Sequence, residues 1–183
     1  DVRVLRETFG LLADKGFRGL RIDEVARRSG VPKSTIYRRW PSLVDLAVDA
    51  VDTAMGSREC EPGEDPLADL SAIIVRAHAF FTTSPLSGSL PQIALGLIGH
   101  PEAQAAYRDR IIAPLRNGAI DAVTRAAAAG RWQGPDPTTS VDMMIGAIVY
   151  RFNYLGHAAD LDEAFEVAEA VARRPLPRPE ATR

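Results

Sequence analysis

Apolar residues recur along this chain at steps of three and four, the spacing that lines one face of an α-helix. Nowhere do apolar and polar residues alternate over the length of a strand between turn signals. Val2, Leu5, Phe9, Leu12 and Ala13 form the first stripe, which Gly16 ends with Lys15 in the last turn. A short segment from Ile22 to Ser29 follows, with Asp23 and Glu24 in its first turn and Gly30 closing it. A third segment runs from Pro32 or Lys33 to about Trp40. Pro41-Ser42 then breaks the chain, and Ser42 with Asp45 makes a variant capping box for a fourth helix whose apolar face is Leu43, Leu46, Ala47 and Ala50.

Residues 56–66 are polar and rich in helix breakers, which predicts a loop between an N-terminal head, residues 1–48, and a body, residues 49–183. Asp65-Pro66 opens the next helix, to about Thr83. Ser84-Pro85 and Ser87-Gly88-Ser89 interrupt the pattern before an apolar segment from Leu90 to Ile98. A long helix is expected from Glu102 to about Ala129, bent at Pro114. Asp136-Pro137 opens another, to about Gly156, and Asp160 and Glu163 cap the last, which ends near Arg174. The tail beyond Pro175 is expected to fray. The prediction is an all-α chain of about nine helices: a three-helix head plus a helical body.

Charge adds something the periodicity does not show. Residues 1–45 hold ten Lys and Arg against six Asp and Glu, a net +4, whereas the remainder carries a net −6. A basic head on an acidic body points to a polyanion partner for the head alone.

Residues 22–40 read as helix, tight turn, helix. Ala26 is small where two helices would cross, Gly30 permits the turn, and Val25, Val31 and Ile36 are placed to fill a small shared core. The second helix, about Lys33 to Arg39, spans about 10 Å at 1.5 Å per residue, close to the roughly 12 Å width of the B-DNA major groove. Lys33, Ser34, Thr35, Tyr37, Arg38 and Arg39 suit phosphates and base edges. Other readings of the same residues are a solvated basic face or a helical protein-interaction module without DNA binding.

Gly16-Phe17 followed by Ile22-Asp23-Glu24-Val25-Ala26-Arg27-Arg28-Ser29-Gly30-Val31-Pro32-Lys33-Ser34-Thr35-Ile36-Tyr37-Arg38-Arg39-Trp40-Pro41-Ser42 resembles the head of the TetR family of repressors. The resemblance covers roughly residues 2–50. It implies base or groove contact from Lys33, Ser34, Thr35 and Arg38, and phosphate contact from Tyr37 and Arg39, with Arg21 and Arg28 as further candidates. Trp40 is expected in the core, packing the third helix against the first. Two positions depart from the family pattern. Arg21 stands where Ser or Thr usually caps the second helix, and Leu43 stands where a Lys often meets the DNA backbone.

A short recognition helix reads few base pairs, so a homodimer on a near-palindromic operator is expected. The last two helices carry the apolar stripes assigned to that interface: Val141, Ile145, Ile148, Val149 and Phe152, then Phe165, Ala168 and Val171. The resemblance also implies a small-molecule effector. Phe80, Phe81, Leu95, Ile98, Tyr107, Ile111 and Asn153 are the candidate pocket residues, with Gln92, Tyr154 and His157 as further polar groups.

An enzyme is not expected. His78, His100 and His157 lie far apart, none has a partner at metal-ligand spacing, and there is no phosphate-binding glycine loop or nucleophile elbow. No cofactor or metal is predicted. The single Cys60, the lack of a signal-like N-terminus and the lack of a long apolar run give a cytoplasmic expectation.

Overall fold

A computed structural model describes residues 2–83, 90–156 and 160–178. The expected breaks at Ser84-Pro85 and Ser87-Gly88-Ser89, His157, the side chain of Gln92 and the end of the tail lie outside the described residues. Every regular element among the described residues is helical. These are α1 (Val2–Gly19), α2 (Ile22–Ser29), α3 (Lys33–Arg39), α4 (Leu43–Met55), α5 (Pro66–Thr83), α6 (Leu90–Gly96), α7 (Pro101–Tyr107), a π-helical turn (Arg108–Ile112), α8 (Ala113–Ala128), α9 (Pro137–Tyr154) and α10 (Leu161–Ala172). No loop separates α7, the π-helical turn and α8; taken as one helix, they bring the count among the described residues to nine. None of these helices is long and apolar enough to cross a membrane.

The chain packs as two compact units. One holds α1 to α4 together with α6, α7 and the π-helical turn; the other holds α5, α8, α9 and α10. The division therefore differs from a single cut after residue 48. Helix α6 packs on α1, and α7 and the π-helical turn pack on α4, so a stretch distant in sequence completes the core around the head.

In the first unit the inner face of α1 is Val4, Thr8, Leu11 and Leu12, whereas Val2 is 75% exposed. This corrects the stripe read from apolar residues alone. Thr8, a polar residue outside that stripe, is buried because its hydroxyl donates to the Val4 carbonyl at 2.8 Å and is satisfied within the helix. Gly16 breaks α1 as expected, with φ 65° and ψ 178°, and one further turn leads to buried Leu20.

The long helix expected from 102 to 129 is interrupted by the π-helical turn, which ends two residues before Pro114. Proline has no N–H to give the carbonyl four residues back, and its ring crowds that carbonyl. The carbonyl in question is that of Arg110, which accepts instead from Arg58 Nη2 at 2.8 Å. Wider π geometry is a common answer to such an obstruction.

The second unit is built on Leu67, Leu70, Ala119, Ala122, Val123, Ala126, Val141, Met144, Phe165, Ala168 and Val171, with Trp132 packed at its edge. Its helices begin at the expected caps. The Asp136 side chain accepts from the Thr139 N–H, and Asp160 with Glu163 forms a full capping box. Val141, Phe165, Ala168 and Val171 were expected to face a partner chain, and here the structure corrects the sequence. Each is buried in the second unit's own core: Val141 on α9 faces inward, and the apolar stripe of α10 packs against α5 and α9. The apolar side chains that α9 leaves exposed are Met143, Ile145, Tyr150 and Tyr154, with the two tyrosine rings stacked 5.6 Å apart.

Phe165 is fully buried, and the Arg178 guanidinium lies 3.9 Å from its ring centre. Phe165→Ala is expected to cost about 3–5 kcal/mol, read as a drop in the denaturant midpoint of unfolding.

Candidate nucleic-acid interface

The turn between α2 and α3 is set by Gly30, which takes φ 71° in the left-handed region and donates its N–H to the Ala26 carbonyl at 2.9 Å. Ser29 Oγ accepts from the Val31 N–H at 3.3 Å, and the Pro32 carbonyl then starts α3 by accepting from Ile36 N–H at 3.1 Å. Val25 on α2 and Ile36 on α3 are fully buried against the head core. Ile36 is the only buried residue among the seven of α3. The rest of the helix is thereby turned outward: Lys33, Ser34, Tyr37, Arg38 and Arg39 are exposed, and Thr35 is half-buried.

Trp40 follows the last residue of α3 and is only 3% exposed, which agrees with its expected place in the core. Its indole N–H donates to Asp49 Oδ2 at 2.7 Å, and the Arg39 guanidinium lies 5.3 Å from its ring centre. Asp49 sits on α4 and gave no signal in the sequence, since an acidic residue on a solvated helix face looks the same.

Several basic residues of the head are held by acidic neighbours. Lys33 pairs with Asp23 on α2. Glu24 gathers Lys15 at 3.4 Å, Arg27 at 3.1 Å and Arg28 at 3.3 Å. Desolvation pushes the Glu24 carboxyl up, but Lys15 and Arg27 pull it down further, so it lies below the usual carboxylate range and stays ionised. Arg21 does not cap α2. It folds back, donating from Nη1 to the carbonyls of Arg18 at 2.8 Å and Leu20 at 2.9 Å, and so ties off the end of α1. Arg21 and Arg28 nevertheless remain exposed on the same unit as α3.

The seven candidate pocket residues are divided between the two units. Phe80 and Phe81 meet edge to face at 5.6 Å, and Phe81 lies 5.3 Å from Phe152. Asn153 is exposed at the end of α9. In the other unit Tyr107 and Ile111 are buried, while Leu95 and Ile98 are exposed. Burial raises the Tyr107 phenol to about 12, so it is un-ionised at neutral pH.

Residues 4–50 match the family model for bacterial regulatory proteins of the tetR family, and residues 62–171 match the tetracyclin repressor-like C-terminal domain. The chain belongs to the tetR family. Its helix-turn-helix makes it a DNA-binding transcriptional regulator. It is 27% identical over 157 residues to the HTH-type transcriptional regulator YdeS of Bacillus subtilis, a match that spans 84% of this chain and 78% of that protein. The HTH-type regulator Rv1556 of Mycobacterium tuberculosis is 38% identical over 50 residues, or 27% of this chain and 25% of that one. Among solved structures, the TetR family transcription regulator SCO0332 superposes with a TM-score of 0.67 at 26% identity, covering 96% of this chain and 97% of that one. The flavonoid-responsive regulator FrrA has the same fold, with a TM-score of 0.70 at 17% identity over 92% of each chain.

Lys33→Ala and Tyr37→Ala are each expected to weaken binding to an operator selected from a random duplex pool, by about 1–3 kcal/mol where a base contact is lost, with helical content by circular dichroism unchanged. Asp23→Asn is expected to act in the opposite direction. Freed of its carboxylate partner, Lys33 should tighten binding severalfold in fluorescence anisotropy at fixed salt.

Proposed function

We propose that this tetR-family regulator is a homodimeric repressor that leaves its operator when a small molecule binds its second unit. The observation that carries the DNA-reading half is the outward face of α3, where Lys33, Ser34, Thr35, Tyr37 and Arg38 surround a single buried anchor, Ile36. Lys33, Ser34, Thr35 and Arg38 meet base edges or the groove. Tyr37, Arg39, Arg21 and Arg28 meet phosphates. Affinity should therefore fall steeply as salt rises.

The dimer is proposed to form through α9. Met143, Ile145, Tyr150 and Tyr154 give that helix an exposed apolar face, and Gly146 lies in the same stretch with nothing within 4 Å of the place a Cβ would occupy. Ile148, Val149 and Phe152 are half-buried beside it. In such a dimer the two recognition helices meet half-sites about 34–36 Å apart.

The effector is proposed to engage the half-buried aromatic cluster of Phe80, Phe81 and Phe152 in the second unit, with Asn153 the next residue along α9. The other four candidates, Leu95, Ile98, Tyr107 and Ile111, belong to the first unit, so the proposed site is the Phe80, Phe81 and Phe152 cluster alone. An apolar ligand suits these side chains. Two solved proteins of this fold point the same way: FrrA is flavonoid-responsive, and FadR from Bacillus subtilis, 14% identical at a TM-score of 0.65, was crystallised with stearoyl-CoA. Coupling between effector and operator of about 1–3 kcal/mol is the usual size for such a switch.

Sedimentation should show a dimer at micromolar concentration and a monomer for the double variant Tyr150→Glu, Tyr154→Glu. A monomeric wild type overturns the dimer. Any small molecule that raises the melting temperature of the dimer should lower operator affinity about 5–150-fold at saturation. A molecule that binds the second unit and leaves operator affinity intact overturns release.

A further inference from the structure

We propose that Asp49 and Arg110 are positioning residues for the recognition helix: they fix the seat of Trp40 and so set operator affinity, although Arg110 lies sixty residues beyond the helix-turn-helix match. The proposal rests on the reading of α3 as the DNA-contacting helix.

The geometry is a chain of polar contacts within the first unit. Trp40 ends α3, and its backbone N–H caps that helix on the Ile36 carbonyl. Its indole N–H goes to one oxygen of Asp49, at 2.7 Å. The other oxygen of the same carboxylate takes Arg110 Nη2 at 2.6 Å. That nitrogen also reaches Asp52 Oδ2 at 3.1 Å. Arg58 closes the arrangement from behind, donating to Asp52 Oδ1 and to the Arg110 carbonyl. Burial raises the Asp52 carboxyl, and its hydrogen bonds from Arg58 and Arg110 more than offset this, leaving it below the ordinary aspartate range.

Each link has a reason to be directional. A carboxylate that bridges two donors has its rotamer fixed by both, so Asp49 cannot turn without releasing either Trp40 or Arg110. Arg110 in turn lies on the π-helical turn that Pro114 imposes, where the backbone carbonyl is tied by Arg58. The indole is therefore held at the end of a relay that starts in α7's continuation, not in the head. A seven-residue helix with one buried side chain has little else to set its rotation, and a small rotation of α3 moves every DNA-facing side chain together. Arg110 reaches the seat through Asp49, and its effect is exerted through Trp40.

The test uses the full chain in a Trp132→Phe background, which leaves Trp40 as the sole tryptophan. Operator affinity is measured by anisotropy and the seat of Trp40 by its emission maximum and iodide quenching. Arg110→Gln is expected to shift the emission to the red, increase quenching and weaken operator binding about tenfold, the factor for one such hydrogen bond. Arg108→Gln removes the same charge from the same turn, where Arg108 is exposed and paired with Asp109. It should leave affinity within about twofold, as expected of an exposed pair. Trp40→Phe, in a chain keeping Trp132, keeps the ring in the core but has no indole N–H. In that background Arg110→Gln should have no further effect on operator affinity, a non-additivity that a merely structural role would not give. The proposal is overturned if Arg110→Gln leaves Trp40 emission unchanged, if it weakens binding no more than Arg108→Gln, or if the effects of Trp40→Phe and Arg110→Gln add. Should Arg110→Gln lose its helical content, Asp49→Asn carries the same test, with the same expected red shift and the same overturning results. A wild-type chain that binds no duplex at low salt would instead refute the DNA reading on which the relay rests.

Discussion

A helix of seven residues is too short to hold itself in water, because the cost of its first turn is repaid only over a longer run. Helix α3 exists because Ile36 is sunk into the head and Trp40 anchors its end. Those two burials fix which side of the helix meets solvent, and that side carries the polar residues proposed to meet DNA. Gly30 makes the arrangement possible, since its left-handed backbone turns the chain from α2 into α3 in the space of a few residues. Remove the anchors and the polar residues of α3 remain basic but no longer point in one direction.

The electrostatics of the head follow from the same economy of space. Ten cations within the first 45 residues would repel one another, and the acidic residues of α1 and α2 are spread among them. Glu24 serves three cations and Asp23 a fourth. Such exposed pairs contribute little to stability individually. Their effect is on which cations face outward unattended and which are already engaged before DNA arrives. Arg38, exposed and without an ion pair among the described residues, stands apart from Lys33 in this respect.

Much of the fold was legible because it is written in local chemistry. Gly16, Gly30, Ser42, Asp136 and the Asp160–Glu163 box each stop or start a helix by a mechanism that needs only neighbouring residues, and each does so in the structure. The outward face of α3 was legible for the same reason. What escaped was anything decided by distant packing. Thr8 is buried on the inner face of α1 because its hydroxyl reaches the Val4 carbonyl, which an apolar periodicity does not register. The stripe on α10 looked available to a partner, and periodicity cannot say whether a stripe meets its own protomer or another. Asp49 and Arg110 carried no local mark at all, since their meeting depends on α4 packing against the π-helical turn. The proposed effector site was the least legible, because a cavity and a core are lined by the same residue types.

Cys60 deserves a last consideration. It is the chain's single thiol, half-buried beside Arg76 Nη2 at 3.3 Å, with Gly118 so close that any larger residue there would collide with it. The chain therefore offers one sulfur to a fluorophore or spin probe, in the unit that does not contain α3. Spectroscopy of this regulator can begin from the natural sequence, with no cysteine to delete first.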